Sequence, residues 1–342
     1  DVLALASMPG FDPNLFVNGI DTKSYRKLAD SPNRPLFNRA IKGRYPPGST
    51  LKPFIGLAGL ESDVVKAETR IFCKGWFQLK HDKHKYRDWK IYGHGQINLR
   101  EAITQSCDVY FYTLALNLGI DRISRYNAYF GFGQSTGIDI LGETVGINPS
   151  REWKRRAKHE SWYPGETLIT GIGQGFNVTS PLQLAEGVAI LATYGLHIRP
   201  HLALAFEESE SGTLEYLEPV VMAQVPVEKK ENWDNIIESM AAVVSSRRGS
   251  ARNIRSKNYN IAGKTGTAQV FSIKQNEKYD KENLRDNLRD HALFVAFAPK
   301  EDPELAVAVI VENGESGGRV AAPIARKVLD AYLLGSGETT HN

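Results

Sequence analysis

The densest run of apolar positions follows a stretch of turn formers. Gly43-Arg44-Tyr45-Pro46-Pro47-Gly48 gives way to Leu51, Phe54, Ile55, Leu57, Ala58 and Leu60, which predicts an apolar helix opening at Ser49. Helical patterning then dominates from Leu51 to Gly195, and within it Leu99–Gln105 and Val109–Leu118 flank a polar corner, Ser106-Cys107-Asp108. Asp1–Ser7 reads as an opening strand, and strands resume at Ile261. Ile261–Val270 alternates small, polar and apolar residues, while His291–Ala298 and Leu305–Val311 read as an antiparallel pair around Pro299–Pro303. Val320–Leu334 predicts an amphipathic closing helix. Phe271–Arg289 is polar and of mixed charge, with Asn283-Leu284-Arg285-Asp286 echoed by Asn287-Leu288-Arg289-Asp290, and reads as a loop or a short helix.

With 342 residues and 42% hydrophobic content, the chain is large enough for one domain of two subdomains. About 1–48 and 248–342 are expected to form the sheet part and about 49–247 the mainly helical part. A net charge of +3 is too mild to argue for a nucleic-acid partner. No apolar run reaches the roughly 18 residues that a membrane helix needs.

The chemistry concentrates in three strings: Ser49-Thr50-Leu51-Lys52, Ser106-Cys107-Asp108 and Lys264-Thr265-Gly266-Thr267. At a helix start, Ser49 meets unpaired backbone N–H groups and the positive end of the dipole, which favour a developing oxyanion. Lys52, three residues on, projects from the same face at roughly 5–6 Å between Cβ atoms. A lysine activates a serine hydroxyl only where desolvation or a nearby cation holds it neutral, and Lys264 is the candidate cation. Lys264 would also attract an anionic substrate, whose carboxylate the Thr265 and Thr267 hydroxyls can bind, with Gly266 keeping the strand edge open. Ser106 is placed to pass a proton between Lys52, Ser49 and a leaving group. Asp108, a carboxylate, only accepts hydrogen bonds and would hold Lys52 charged for part of a cycle.

Together with Asp12-Pro13-Asn14, Asn38-Arg39-Ala40, Tyr45-Pro46-Pro47-Gly48-Ser49, Arg87-Asp88-Trp89-Lys90, Gly93-His94-Gly95, Gly173-Gln174-Gly175 and Asp290-His291-Ala292, the three strings make essentially the whole chain resemble a class B penicillin-binding protein. The resemblance is to the elongation-specific branch of Gram-negative rods, in which Asp at the position of Asp108 is usual. It implies an α+β fold of the penicillin-binding transpeptidase and serine β-lactamase type: an antiparallel sheet flanked by helices, a helical subdomain, and the site in the cleft between them. It further implies a D,D-transpeptidase of cell-wall elongation in which Ser49 attacks the penultimate D-Ala carbonyl of a peptidoglycan stem peptide. β-Lactams would acylate the same serine, and the Ser49 and Thr267 N–H groups would form the oxyanion hole. A cytoplasmic tail, one membrane helix and a pedestal domain are expected before Asp1 in the full protein. The domain would then face the periplasm from the inner membrane and meet a glycan-polymerising partner and the elongation machinery.

Cys73 and Cys107 are the only cysteines, and Asp88 and His94 lie between them. The residues alone leave a disulfide and a zinc site both open, since a periplasmic pair of cysteines usually bonds and Cys, Asp and His are all zinc ligands. The resemblance implies the second: some relatives hold zinc with Asp, Asp, His and Cys at these spacings, and here Cys73, a ligand-competent replacement for the first Asp, would join Asp88, His94 and Cys107 around a structural ion bracing the Ser106 corner.

Rival readings are a serine β-lactamase or penicillin sensor, and a catalytically idle cell-wall scaffold. A β-lactamase needs a base for deacylation; Glu166 is the candidate, but no Glu-x-x-Leu-Asn pattern accompanies it. Gly171-Ile172-Gly173-Gln174-Gly175 lacks the strand-turn-helix setting of a dinucleotide loop and is expected to be a turn. Ser161-Trp162-Tyr163 is expected to pack in core and rim rather than to bind carbohydrate.

Overall fold

The computed structural model describes residues 1–270 and 288–335. A single 3-10 turn, Gly48–Leu51, runs directly into helix α1 (Lys52–Glu61). Lys52 through Leu60 are all buried, so the apolar run becomes a central helix covered on every side. Strand β1 (Ile71–Cys73) pairs antiparallel with β2 (Gly95–Ile97), setting Cys73 opposite Gly95. Helix α2 (Leu99–Gln105) starts at a capping box made by Asn98 and Glu101, and the corner after it leads into α3 (Asp108–Leu118). Further along are α4 (Pro181–Ala192), also opened by a capping box, and α5 (Lys230–Ser245).

Strands β3 (Ala262–Ala268), β4 (His291–Ala298) and β5 (Leu305–Val311) form an antiparallel sheet in the order β5-β4-β3, with Lys264 opposite Val295 and Thr267 opposite Ala292. Every residue of β4 after His291 is buried. Successive strand side chains point to opposite faces, so helices must cover both. Helix α4 packs on β4 and β5, α5 on β3, and the closing helix α6 (Ala322–Leu333) on β4 and β5. Two helices from the span expected to be helical thus lie on the sheet itself. α5 also packs on α1 and α2, which ties the Ser49 helix to the strand that carries Lys264.

Three expectations about elements need correction or fall outside view. Asp1–Ser7 is not a strand: its backbone is held by one bond, from Val2 N–H to the His201 carbonyl at 2.8 Å, while Val2 and Leu5 pack on Ile41, Ile138 and Leu182. The stretch before Ile261 also holds short strands, namely β1, β2, Trp76–Phe77 with Tyr86–Arg87, Leu196–Ile198 with Val221–Gln224, and Ala205–Glu207 with Leu214–Tyr216. Segments of two to four residues are too short to show a period of two. Nearly all of the Phe271–Arg289 stretch lies outside the described residues.

Candidate active site and metal centre

The Ser49 turn is pressed against the Lys264 strand by close backbone contacts. Gly48 has φ +54°, and a Cβ there would lie 2.4 Å from the Thr267 carbonyl oxygen, so only glycine fits. Its N–H donates to Gly173 O at 2.9 Å, which gives the Gly171–Gly175 segment the turn role expected of it. Gly266 does more than keep an edge open: a Cβ on it would meet Thr50 Cγ2 at 2.7 Å, so its bareness admits the Ser49 turn. Ser49 itself is half-buried at this junction, and among the described residues none hydrogen-bonds its hydroxyl.

Two lysine amines converge on Ser106. Lys52, fully buried, donates from Nζ to Ser106 O at 2.9 Å, Ser106 Oγ at 3.3 Å and Asp108 Oδ1 at 2.7 Å. Lys264, also fully buried, donates to Ser106 Oγ at 2.9 Å and Thr265 O at 2.9 Å. A hydroxyl has two acceptor lone pairs and one proton, so with both amines donating, the Ser106 O–H is left to donate elsewhere. Burial, aided by the Lys52 charge, pushes the Lys264 amine well below the ordinary lysine range. The expected division of labour therefore shifts. Lys52 has a carboxylate partner, whereas the amine held toward neutrality is Lys264, which no carboxylate touches among the described residues.

The hydroxyls expected to hold a substrate carboxylate differ in availability. Thr265 is buried and its Oγ1 meets Ser250 Oγ at 2.7 Å; Thr267 is exposed, its Oγ1 donates to the Glu315 carbonyl at 3.4 Å, and its own carbonyl accepts from Gln174 Nε2 at 2.9 Å. Ser250 carried no signal in the sequence, because its partner is distant and a lone serine is featureless. Gln174 was visible only as part of a glycine-rich string.

Cys73, Asp88, His94 and Cys107 form a second buried cluster whose ligand-capable atoms all lie within 4.8 Å of one another. The thiols are not joined. Cys73 Sγ is 3.5 Å from Asp88 Oδ2 and 3.5 Å from His94 Nδ1, Cys107 Sγ is 3.2 Å from Asp88 Oδ2, and His94 Nδ1 is 3.6 Å from Asp88 Oδ1. In a tetrahedral zinc site with bonds of about 2.0–2.3 Å, neighbouring ligand atoms stand ~3.3–3.8 Å apart, so this donor set fits that ion. Gly93 makes the loop possible: at φ +74°, a Cβ on it would sit 2.1 Å from the Cys73 carbonyl oxygen. The Cys107 thiol lowers the Cys73 thiol to about 5, whereas burial drives the Cys107 thiol up.

Asp88 also joins this cluster to the lysines. Its Oδ2 accepts the N–H groups of Asp108 at 2.8 Å and Val109 at 3.1 Å, at the start of α3. The adjoining Trp89 N–H donates to Asp108 Oδ2 at 3.2 Å.

The penicillin binding protein transpeptidase domain family matches residues 1–330. The chain belongs to that family. It is 45% identical, over 98% of its length, to the peptidoglycan D,D-transpeptidase MrdA of Acinetobacter baumannii, and covers 49% of that protein. It spans about half the length of the curated relatives it matches. Among solved structures, Pseudomonas aeruginosa PBP2 in complex with WCK 5153 superposes with a TM-score of 0.86 at 47% identity, covering 97% of this chain and 71% of that one. Helicobacter pylori PBP2, solved in complex with MreC, does so with 0.83 at 34% identity, covering 96% and 57%. The α+β transpeptidase fold and the penicillin-binding family expected from the three strings are therefore correct.

In this transpeptidase domain Glu166 is not free to act as a base. Lys154 Nζ donates to its Oε1 at 2.5 Å and the Tyr163 N–H to its Oε2 at 2.8 Å. Trp162 is buried, with its indole N–H on Thr167 Oγ1 at 2.8 Å, as expected of core packing.

Proposed function

We propose that this domain is a peptidoglycan D,D-transpeptidase of cell-wall elongation that works through a Ser49 acyl-enzyme. The observation that carries the reading is the convergence of Lys52 and Lys264 on Ser106 Oγ beside the Ser49 turn. Ser49 Oγ attacks the penultimate D-Ala carbonyl of a stem peptide, and its proton passes to an amine of the cluster. Ser106, shared by both amines, returns that proton to the nitrogen of the departing D-Ala as the peptide C–N bond breaks. An amine on a neighbouring strand then attacks the acyl-enzyme and passes a proton through the same groups to Ser49 Oγ as the ester C–O bond breaks, forming the cross-link and freeing Ser49. Asp108 orients Lys52, while the N–H groups of Ser49 and Thr267 receive the oxyanion, a contribution of about 2.7–4 kcal/mol per donor in a measured case. Thr265, Gly266 and Thr267 form the wall that takes the substrate carboxylate. β-Lactams acylate Ser49 in place of the stem peptide.

In the same reading Cys73, Asp88, His94 and Cys107 hold a structural zinc. Four protein ligands leave it no open position for chemistry, so it braces the Ser106-Cys107-Asp108 corner. Fixed placement matters because the corner carries two of the proposed working groups. The similarity to MrdA supports a place at the periplasmic face of the inner membrane. The Helicobacter pylori complex with MreC supports docking to the elongation machinery, and a peptidoglycan synthase complex that superposes with a TM-score of 0.81 at 32% identity supports a glycan-polymerising membrane partner.

The test is the intact mass of the protein followed for hours after mixing with benzylpenicillin, with Ser49→Ala as control. A single persistent adduct that requires Ser49 is expected. Rapid return to the free mass with consumption of the drug would assign a β-lactamase instead, and a parent protein that never labels would reject the acyl-enzyme.

A further inference from the structure

Trp89 sits between the two buried clusters and touches both. Its backbone N–H donates to Asp108 Oδ2 at 3.2 Å, and its indole N–H is shared between the carbonyls of Gln105 at 3.2 Å and Ser106 at 3.1 Å. Its ring stands edge-on to His94 with centroids 5.5 Å apart. Yet the residue is 63% exposed, so the core does not need it as filler.

What the indole holds is unusual backbone. Ser106 ends α2 in the left-handed region at φ 59° and ψ 42°, a conformation that a residue with a Cβ adopts at a cost and keeps only where its surroundings over-determine it. Three groups hold it: its own N–H on α2 carbonyls, Lys52 Nζ on its carbonyl at 2.9 Å, and the Trp89 indole on that same carbonyl. The direction of Ser106 Oγ follows from that backbone, and Oγ is where Lys52 and Lys264 meet.

We infer that Trp89 is a positioning residue for acyl transfer. Its indole N–H clamps the Ser106 carbonyl so that Ser106 Oγ stays between the two amines, and its backbone N–H fixes the Asp108 oxygen that Lys52 does not use. The inference rests on the acyl-enzyme proposed above. Asp88, one residue away, is anchored in the cysteine and histidine cluster, so Trp89 is an arm from that cluster to the Ser106 carbonyl, alongside the direct bonds from the Asp108 and Val109 N–H groups to Asp88.

Trp89→Phe deletes the indole donor while keeping the backbone N–H and an aromatic ring, and Trp89→His returns a ring N–H. With benzylpenicillin, Trp89→Phe is expected to slow the covalent step roughly tenfold, the size of one lost hydrogen bond. The pre-covalent binding constant, melting temperature and metal content are expected to stay at parental values, and Trp89→His to recover part of the rate. Parental acylation by Trp89→Phe, or a loss that tracks melting temperature or metal, overturns the inference. A crystal structure of Trp89→Phe tests it without any reaction. Ser106 is expected to leave the left-handed region or Oγ to lose one lysine, whereas an unchanged corner overturns the clamp even if the parent never labels. Absence of labelling in the parent with a relaxed corner in the variant would instead reject only the acyl-enzyme reading.

Discussion

The domain holds two buried polar clusters side by side, and they are opposite in electrostatic make-up. Around Ser106, two amines face one carboxylate and a set of oxygens, and each Nζ has its acceptors. Around Asp88, two thiols, a carboxylate and an imidazole nitrogen crowd together, while His94 Nε2 is buried with no partner among the described residues. The first cluster is complete from the protein's own groups and opens onto the Ser49 turn. The second gathers two thiols that donate to the Asp88 carboxylate beside an imidazole nitrogen, the donor set of the proposed ion site. Self-sufficient placement suits groups that must exchange protons, whereas a donor set able to hold an ion suits the brace proposed above.

The largest expected effect separates the clusters outright. Ser49→Ala should abolish covalent labelling by benzylpenicillin while leaving melting temperature and metal content unchanged; residual adduct in intact-mass spectra would place the nucleophile elsewhere.

His94→Ala attacks the other side. It should remove stoichiometric zinc, measured by elemental analysis, and cost about 2–4 kcal/mol, as for other breaks in buried networks. In a domain of this size that reads as a melting temperature lower by on the order of 5 °C. Acylation should slow as the corner loosens. Unchanged metal content and melting temperature would remove the brace from the comparison.

Lys264→Met probes the cost of the first cluster. Burial lowers the folded-state pKa of Lys264, so between that value and the unfolded value near 10.4 the unfolded chain binds the extra proton, and stability rises with pH across this window. Replacing the amine with an apolar chain should therefore relieve this desolvation cost and stabilise the domain at pH 7 while abolishing acylation. The advantage should shrink toward pH 10. Urea unfolding at pH 7 and pH 9 reads this directly, and a variant less stable than the parent at both would contradict it.

Asp108→Asn acts at the joint between the clusters and should have the smallest effect. The amide can still accept from Lys52 or from the Trp89 N–H, so labelling should persist within about a factor of ten. Complete loss would make the charge of Asp108, rather than its place, the essential property.

Local patterning made a good part of this legible. The Ser49 helix start, the β3 strand, the β4–β5 pair and the closing helix all follow from short-range periodicity and turn chemistry, which act over a few residues and leave their mark in the string. Asp1–Ser7 failed as a strand because its alternating pattern packs on Ile41, Ile138 and Leu182 without finding a ladder partner. Ser250 was invisible because its pairing with Thr265 exists only once the sheet is built.

The sequence by itself determined which residue types stand at the turn, the corner and the strand, and hence the family and the candidate nucleophile. Only the tertiary structure decided how the charges are shared. That Lys52 takes the Asp108 carboxylate, that Lys264 is left desolvated, and that Trp89 reaches from one cluster to the other depend on burial and on distances of a few ångströms between segments far apart in the chain. Coulomb and desolvation energies are set by those distances and by exclusion of water, neither of which is a property of spacing along the chain.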